Sequence, residues 1–451
     1  MSKDILKRIY NAFNPSTPAN DSQYWDCSQA RGGGVFIKDF KRQLTRAEGD
    51  ICTLFTGHVG SGKSSELKCL HRALAEPLPN GQRLFPMVID VLQYIDEYDA
   101  DSTDLLLALI TELATCLKET LGIQLESPYI ARRLEGLKHL FFAEMGTENT
   151  QLSLFGIKTR IRALKQDTAI RDAVRGALGK QPSSLLEAVN QVLDTAKTKL
   201  AEHKTSPYDG LVLIVDNLEK VRVVAGKAEG IASQSELFIE RAHLLTGLHA
   251  HVIYTVPLRL AREYGPQLGG SYGKPPFVLP MIKVRQRHSL KMHQPGFTCM
   301  REVIRQRLGD LTLADVFEDD ALDFLIKYSG GNPRHLMMFV QGAAIYADAL
   351  PMTLSEAQRA ISQTIEAFST SVARSHWPQL VALDESETKD IDSKKKDYLD
   401  MLDNESILEY INGDGDDVFS SSEPWYVVHP IVRELRMFKA EQKKLANRLS
   451  P

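Results

Sequence analysis

The sequence predicts an α/β protein: a parallel sheet covered by helices, then an all-helical segment, then a C-terminal module of helices around a β-hairpin. Three observations predict it. Nearly continuous apolar runs of strand length recur at residues 51–56, 84–91, 211–216 and 251–256, which is how strands buried on both faces read. Segments with leucines at helical spacing, such as residues 103–121, alternate with those runs, the pattern of a parallel sheet with crossover helices. From about residue 297 the pattern turns helical, until two short strand-like runs at 407–411 and 425–428 flank an acidic loop.

Taken in order, residues 1–22 contain Asn14-Pro15-Ser16-Thr17-Pro18 and read as an irregular lead-in. Residues 23–290 read as the sheet-bearing core. The sequence between 123 and 205 exceeds what two βα units need and reads as a largely helical insertion, in which residues 152–158 have the pattern of a hairpin strand. Residues 291–350 read as a helical lid and 351–451 as a winged-helix-like domain. No internal repeat is present.

Composition narrows the function classes. With 451 residues and 43% apolar side chains the chain can bury two or three cores. A net charge of −4 argues against general electrostatic binding of nucleic acid, so any such binding must be local. No apolar stretch reaches 18 residues, which excludes a membrane helix, and the N-terminus lacks a charged-then-apolar export signal. Five scattered cysteines with no ligand spacing read as reduced thiols of a cytoplasmic protein.

The chemistry centres on Gly57-His58-Val59-Gly60-Ser61-Gly62-Lys63-Ser64-Ser65, a complete G-x-x-x-x-G-K-S phosphate loop. An apolar strand precedes it and Leu67, Leu70 and Leu74 follow at helical spacing, the context the motif requires. The glycines let successive N–H groups converge on phosphate oxygens. Lys63 then reaches the β- and γ-phosphates and Ser64 offers its hydroxyl to Mg²⁺. The expected ligand is a nucleoside triphosphate, taken to be ATP, with Mg²⁺, and the expected fold is that of a P-loop NTPase. Leu213-Ile214-Val215-Asp216 is a Walker B candidate, with Asp216 holding Mg²⁺ through water. Asn217 stands where many ATPases carry the glutamate that activates water, and an amide cannot take a proton. Glu219 is the nearest alternative base, or else an exposed first-turn residue.

Together the phosphate loop, the Asp216 strand, Thr255 on the next strand and Gly330-Gly331-Asn332-Pro333-Arg334 resemble the AAA+ superfamily. The chain is most similar to its origin-recognition-like and STAND-type branches, over most of residues 25–345. The resemblance implies that Thr255 is a sensor of the γ-phosphate and that Arg334, opening a lid helix, swings onto that phosphate. It also implies that the segment around Arg31, in Asp26-Cys27-Ser28-Gln29-Ala30-Arg31-Gly32-Gly33-Gly34, passes the adenine. No arginine finger is identified; Arg241 lies in the customary region. Asn217 departs from the family pattern and leaves hydrolysis less secure than binding.

Charge is unevenly distributed. Between 156 and 180, Lys158, Arg160, Arg162, Lys165, Arg171, Arg175 and Lys180 face only Asp167 and Asp172. A second basic stretch, 283–291, holds Lys283, Arg285, Arg287 and Lys291. Either is a candidate surface for nucleic acid or another anionic partner, or a solvated face. Residues 351–451 carry 12 Lys/Arg against 18 Asp/Glu, with Asp414, Asp416, Asp417 and Glu423 around the expected wing, which suits protein docking better than DNA. The leading expectation is an ATP-driven switch that couples nucleotide state to a protein partner or effector, with homo-oligomerisation open. STAND-type resemblance implies a setting in bacterial stress or phage defence. The alternatives are a nucleotide-gated DNA-binding protein of the initiator or transposition-regulator kind, and a scaffold that holds ATP with little turnover.

Overall fold

The computed structural model describes residues 2–137, 154, 165, 167–205, 207–221, 234–392, 394–412 and 423–449. In chain order the principal elements are α1 (Ser2–Ala12), β1 (Cys52–Gly57), α2 (Lys63–Ala75), β2 (Leu84–Asp90), α3 (Ser102–Leu121), α4 (Thr168–Leu178), α5 (Pro182–Ala201), β3 (Gly210–Asp216), β4 (His251–Thr255), β5 (Phe277–Leu279), α6 (Gln294–Leu308), α7 (Asp319–Ser329), α8 (Pro333–Tyr346), α9 (Trp377–Glu385), α10 (Lys396–Asp403), β6 (Ile407–Ile411), β7 (Pro424–Val428), α11 (Pro430–Glu434) and α12 (Arg436–Leu449). They form two compact units. One comprises Met1–Phe36, Thr56–Glu66 and Val278–Pro451; the other comprises Ile37–Phe55 and Leu67–Phe277.

The second unit is built on the expected sheet, ordered β2-β3-β4-β1-β5. β2 with β3, β3 with β4 and β4 with β1 all pair in parallel. All seven residues of β3 are buried, which explains its unbroken apolar run. The register sets Asp90 directly beside Asp216, so two carboxylates share one end of the sheet. α3 starts at a capping box in which Asp101 accepts from Thr103 N at 2.7 Å and Asp104 accepts from Asp101 N at 3.0 Å. It ends at Gly122, whose φ of 68° suits a residue without Cβ. Thirteen of its twenty residues are buried, as expected of a helix apolar nearly all round. α5 packs on both α3 and β3. The helical reading of the insertion holds for α4 and α5; the strand expected at 152–158 lies outside the described residues apart from Leu154.

The first unit is helical around the β6–β7 hairpin, which pairs antiparallel from Ile407↔Val428 to Ile411↔Pro424. Leu408, Tyr410, Trp425 and Val427 bury their side chains with Met281. The Tyr410 and Trp425 rings stand 4.9 Å apart, and the Tyr410 hydroxyl donates to Gly330 O at 2.8 Å. α6, α7 and α8 supply the helices expected between 291 and 350. One expectation is corrected: residues 1–22 are not wholly irregular, because α1 occupies Ser2–Ala12. Leu6, Ile9 and Phe13 are buried at helical spacing, a signal that the nearby Asn-Pro and Thr-Pro pairs obscured. Among the described residues no helix is long and apolar enough to cross a membrane.

Candidate phosphate-binding site

In the first unit the phosphate loop runs from the end of β1 into α2, and its backbone is held in an unusually complete way. Lys63 Nζ donates to Gly57 O at 2.9 Å and to His58 O at 3.0 Å. Asn332 Nδ2 donates to Val59 O at 3.1 Å, Arg334 N to Gly60 O at 3.3 Å, and an Arg31 guanidinium nitrogen to Ser61 O at 2.6 Å. Gly62 O accepts from Ser65 N and Glu66 N, both at 3.0 Å. Six successive carbonyls, Gly57 to Gly62, thus have donors. Peptide carbonyls and N–H groups point in opposite directions, so fixing the carbonyls outward turns the amides toward a common centre. The amides of Gly60, Gly62 and Ser64 have no acceptor among the described residues.

Three segments far apart in sequence supply those donors. Arg31 comes from the short helical turn Gln29–Arg31 and also donates to Pro280 O. Asn332 precedes α8 and caps it, accepting from Arg334 N at 2.9 Å and His335 N at 3.3 Å. The same side chain therefore starts the helix and holds the loop. β6 adds a third fastening, because Glu409 N donates to His58 Nε2 at 2.9 Å, while Met281 N donates to Glu409 O at 3.1 Å. Gly60 has φ of 76°, and a Cβ there would meet Asn332 Oδ1 and stand 2.6 Å from Arg334 Cβ. Only glycine allows the loop and the α8 start to approach so closely.

The groups left uncommitted suit an anion with a bound cation. Ser61 Oγ is fully buried with no hydrogen-bond partner, an arrangement that costs free energy unless something completes it. Ser64 and Arg334 make no side-chain hydrogen bond or ion pair among the described residues. The amides of Gly60, Gly62 and Ser64 and the Arg334 guanidinium, beside the Lys63 ammonium that here holds Gly57 O and His58 O, fit polyphosphate oxygens, and the Ser64 hydroxyl fits Mg²⁺. Val59 is exposed, and Ser65 Oγ accepts from Ala19 N at 3.1 Å. Glu66, one turn into α2, accepts from the Tyr24 hydroxyl at 3.0 Å; burial raises its pKa against the opposing charge of Arg31.

Behind Asn332 lies a polar relay that sequence reasoning missed. His335 Nε2 stands 3.0 Å from Glu405 Oε2, and His335 Nδ1 stands 3.2 Å from His429 Nε2. His429 Nδ1 accepts from Ile431 N at 3.2 Å and so caps α11. Burial pushes the His429 pKa well below that of an ordinary imidazole. A neutral His429 that accepts at Nδ1 must carry its proton on Nε2 and donate to His335, which then donates to Glu405. Burial opposes ionisation of Glu405, yet the hydrogen bond from His335 and the nearby Arg334 guanidinium hold its pKa below the usual range. The pairing of His335 with His429, 94 residues apart, leaves no local signal in the sequence.

In the second unit the strand tips form their own network. Asn217 adopts φ of 65°; its N–H donates to Asp216 Oδ1 and its Nδ2 to Asp90 Oδ1, both at 2.9 Å. Thr255 Oγ1 accepts from Leu218 N at 2.9 Å and donates to Val215 O at 3.3 Å. Thr255 therefore ties β4 to the turn after β3, and Asn217 ties β3 to β2. Glu219 sits on the short turn Leu218–Lys220. Arg241 pairs with Asp101 at 2.9 Å and Glu236 at 2.6 Å.

Several of the basic residues are bonded within the chain where they are described, while Lys165, Lys180 and Lys291 are exposed. Arg171 pairs with Asp99 at 2.6 Å, and Arg175 with Asp99 at 2.8 Å and Asp104 at 2.5 Å. Burial opposes the charge of Arg175, but its bonds to Asp104 and Asp99 raise its pKa. Lys165 donates to Leu92 O at 2.6 Å; Lys158, Arg160 and Arg162 lie outside the described residues. In the first unit Lys283 is buried and donates to Asn412 O, and Arg287 donates to Thr388 O at 2.7 Å.

No family model matches the chain, and no curated protein matches it in sequence. Among solved structures it is similar to a Walker-type ATPase of Pyrococcus abyssi, at 12% identity over 95% of this chain and 99% of that one, with a TM-score of 0.44. It is similar to the ORC1 protein of Aeropyrum pernix in complex with DNA, at 10% identity over 98% of each chain and a TM-score of 0.41. Drosophila ORC bound to DNA follows at 11% identity, 84% of this chain, 72% of that one and a TM-score of 0.40. Likeness of this degree carries no conclusion about ligand, activity or partner.

Proposed function

We propose that this chain binds ATP with Mg²⁺ at residues 57–65 and uses the bound nucleotide to alter the fit between the loop, α8 and the β6–β7 hairpin, a change read by a protein partner. The observation that carries this reading is the loop whose six carbonyls all have donors while the amides of Gly60, Gly62 and Ser64 and the Arg334 guanidinium have no partner among the described residues. Lys63 and Arg334 would hold the terminal phosphates, and Ser64 the metal. Magnesium, when bound, neutralises phosphate charge. Because α8 begins on the loop through Asn332 and Arg334, a phosphate that draws on Arg334 also pulls on the helix start.

Asp216, as the acid of the metal-bound water, and Asn217 or Glu219, as the residue that orients or deprotonates the attacking water, enter the proposal from sequence. Asn217 cannot act as a base, so slow turnover is expected. Internal pairing of Arg171, Arg175, Lys283 and Arg287 favours a protein over a nucleic acid as the partner. The five cysteines, all free, suit a cytoplasmic protein, and the STAND-type resemblance extends the reading to bacterial stress or phage defence.

The test is a titration with a fluorescent ATP analogue beside steady-state phosphate release. Lys63→Ala removes a charge-assisted contact worth roughly 1.5–3 kcal/mol, so affinity should fall about 10- to 100-fold. Wild-type protein that binds no ATP refutes the proposal. Turnover lost in both Lys63→Ala and Glu219→Gln assigns Glu219 as the base; loss in Lys63→Ala alone removes it from that role.

A further inference from the structure

A second site lies in the first unit, away from the phosphate loop. His376 ends the short turn Arg374–His376, and Asp397 and Asp400 sit one turn apart on α10. One ligand atom from each lies within 4.8 Å of the others. The imidazole is the telling group. His376 is only 5% exposed, its Nδ1 is buried without a partner, and its Nε2 faces Asp397 Oδ1 at 3.8 Å. That separation is too long for a hydrogen bond. Nε2, the nitrogen turned toward the carboxylates, is the one a shared ion would take.

A shared metal accounts for the gap. Ligands about 2.0–2.2 Å from one ion stand roughly 3–4 Å from each other, which brackets the separation seen. Gln379 Nε2 donates to Asp397 Oδ2 at 2.6 Å, so one carboxylate oxygen is anchored and the other is turned toward His376. Supporting bonds of this kind orient metal ligands. One imidazole and two carboxylates balance a dication, and their nitrogen–oxygen set suits a borderline ion more than Mg²⁺ or Ca²⁺. Asp397, with its side chain 41% exposed, leaves a further coordination position open to water.

We infer that His376, Asp397 and Asp400 form a site for a divalent transition-metal ion, with Zn²⁺ as the fitting example. The ion would join the turn before α9 to α10, the helix that leads through Glu405 into β6. It is a structural staple at the base of the hairpin and is separate from the Mg²⁺ of the nucleotide site.

The experiment uses the full chain without a purification tag, stripped with a chelator and free of nucleotide. ZnCl₂ alone is titrated by calorimetry and by competition with a chromophoric chelator. One equivalent should bind, remain in Ser64→Ala, and weaken at least tenfold in His376→Asn and Asp400→Asn. Wild-type melting temperature should rise with Zn²⁺, and that of Asp400→Asn should not. No bound equivalent in wild type, or affinity unchanged in Asp400→Asn, overturns the inference and leaves a plain histidine–carboxylate pair. If circular dichroism shows that His376→Asn does not fold, Asp400→Asn and Asp397→Asn, both on partly exposed positions, decide the matter.

Discussion

The two compact units use their polar side chains in opposite ways. Around the phosphate loop, donors from the N-terminal turn, the start of α8 and Lys63 take up the backbone carbonyls, and the groups suited to a ligand stay uncommitted. At the tips of β2, β3 and β4 the side chains marked for chemistry are bonded to one another: Asn217 to Asp90, and Thr255 to Leu218 and Val215. The same contrast separates Arg334, without a side-chain partner among the described residues, from Arg175, held by two carboxylates. A motif whose chemistry resides in the backbone can be read from spacing. A motif whose chemistry resides in a side chain cannot, because a partner elsewhere in the chain can already occupy it.

The largest expected effect tests the occupied side. Arg175→Ala leaves Asp104, a largely buried carboxylate, without its cation. Breaking such a pair costs roughly 3 kcal/mol of stability, measurable by urea denaturation. A variant as stable as wild type would show that Arg175 does not hold the fold, and would return the 156–180 stretch to candidate ligand surfaces.

A smaller effect is expected at the loop. Asn332→Ala removes the α8 cap and the bond to Val59 O together, for a loss of about 1–2 kcal/mol. Asn332→Asp keeps a capping oxygen but loses the donations to Val59 O and to Glu405 Oε1 and sets a second carboxylate beside Glu405, so its stability should be no better than that of Asn332→Ala while ATP affinity stays reduced. Equal affinity in wild type and Asn332→Asp would mean that the outward tie at Val59 does not shape the cradle.

How much was legible follows from the same contrast. The G-x-x-x-x-G-K-S loop, the β3 run ending at Asp216 and the Gly330-Gly331-Asn332-Pro333-Arg334 turn each carry a local physical signal, and they form the link from β1 to α2, a buried strand and the start of α8. Arg31 lay in a glycine-rich segment that sequence assigned to the adenine; its bond to Ser61 O depends on a chain path that no local pattern records. The basic count between 156 and 180 was real, but a count within a window cannot see Asp99 and Asp104, some seventy residues upstream. The His335–His429 pair escaped for the same reason.

A further expected effect concerns acid. His429 has a folded pKa below its unfolded value of about 6.5, because it is buried. As pH falls through about 6.5 the unfolded chain gains a proton that the folded chain resists, so stability declines from there downward, by up to about 1.4 kcal/mol per pH unit. Glu405, also depressed, contributes stability present above about pH 4.3 that is lost as pH falls further. His429→Asn keeps a capping side chain and should flatten the first decline but not the second, as read from denaturation midpoints between pH 7 and 4. An unchanged profile would remove His429 as its source.

The central claim is that nucleotide at the loop is felt by the hairpin, and the Glu409 amide reports on it directly because it donates to His58 within the loop. Hydrogen exchange at Glu409, followed with and without ATP and Mg²⁺, should become faster when nucleotide binds as the loop is drawn from the hairpin, while Gly60, Gly62 and Ser64 become slower. Lys63→Ala should show neither change. Exchange at Glu409 that is unaltered or slower under saturating ATP would contradict the account.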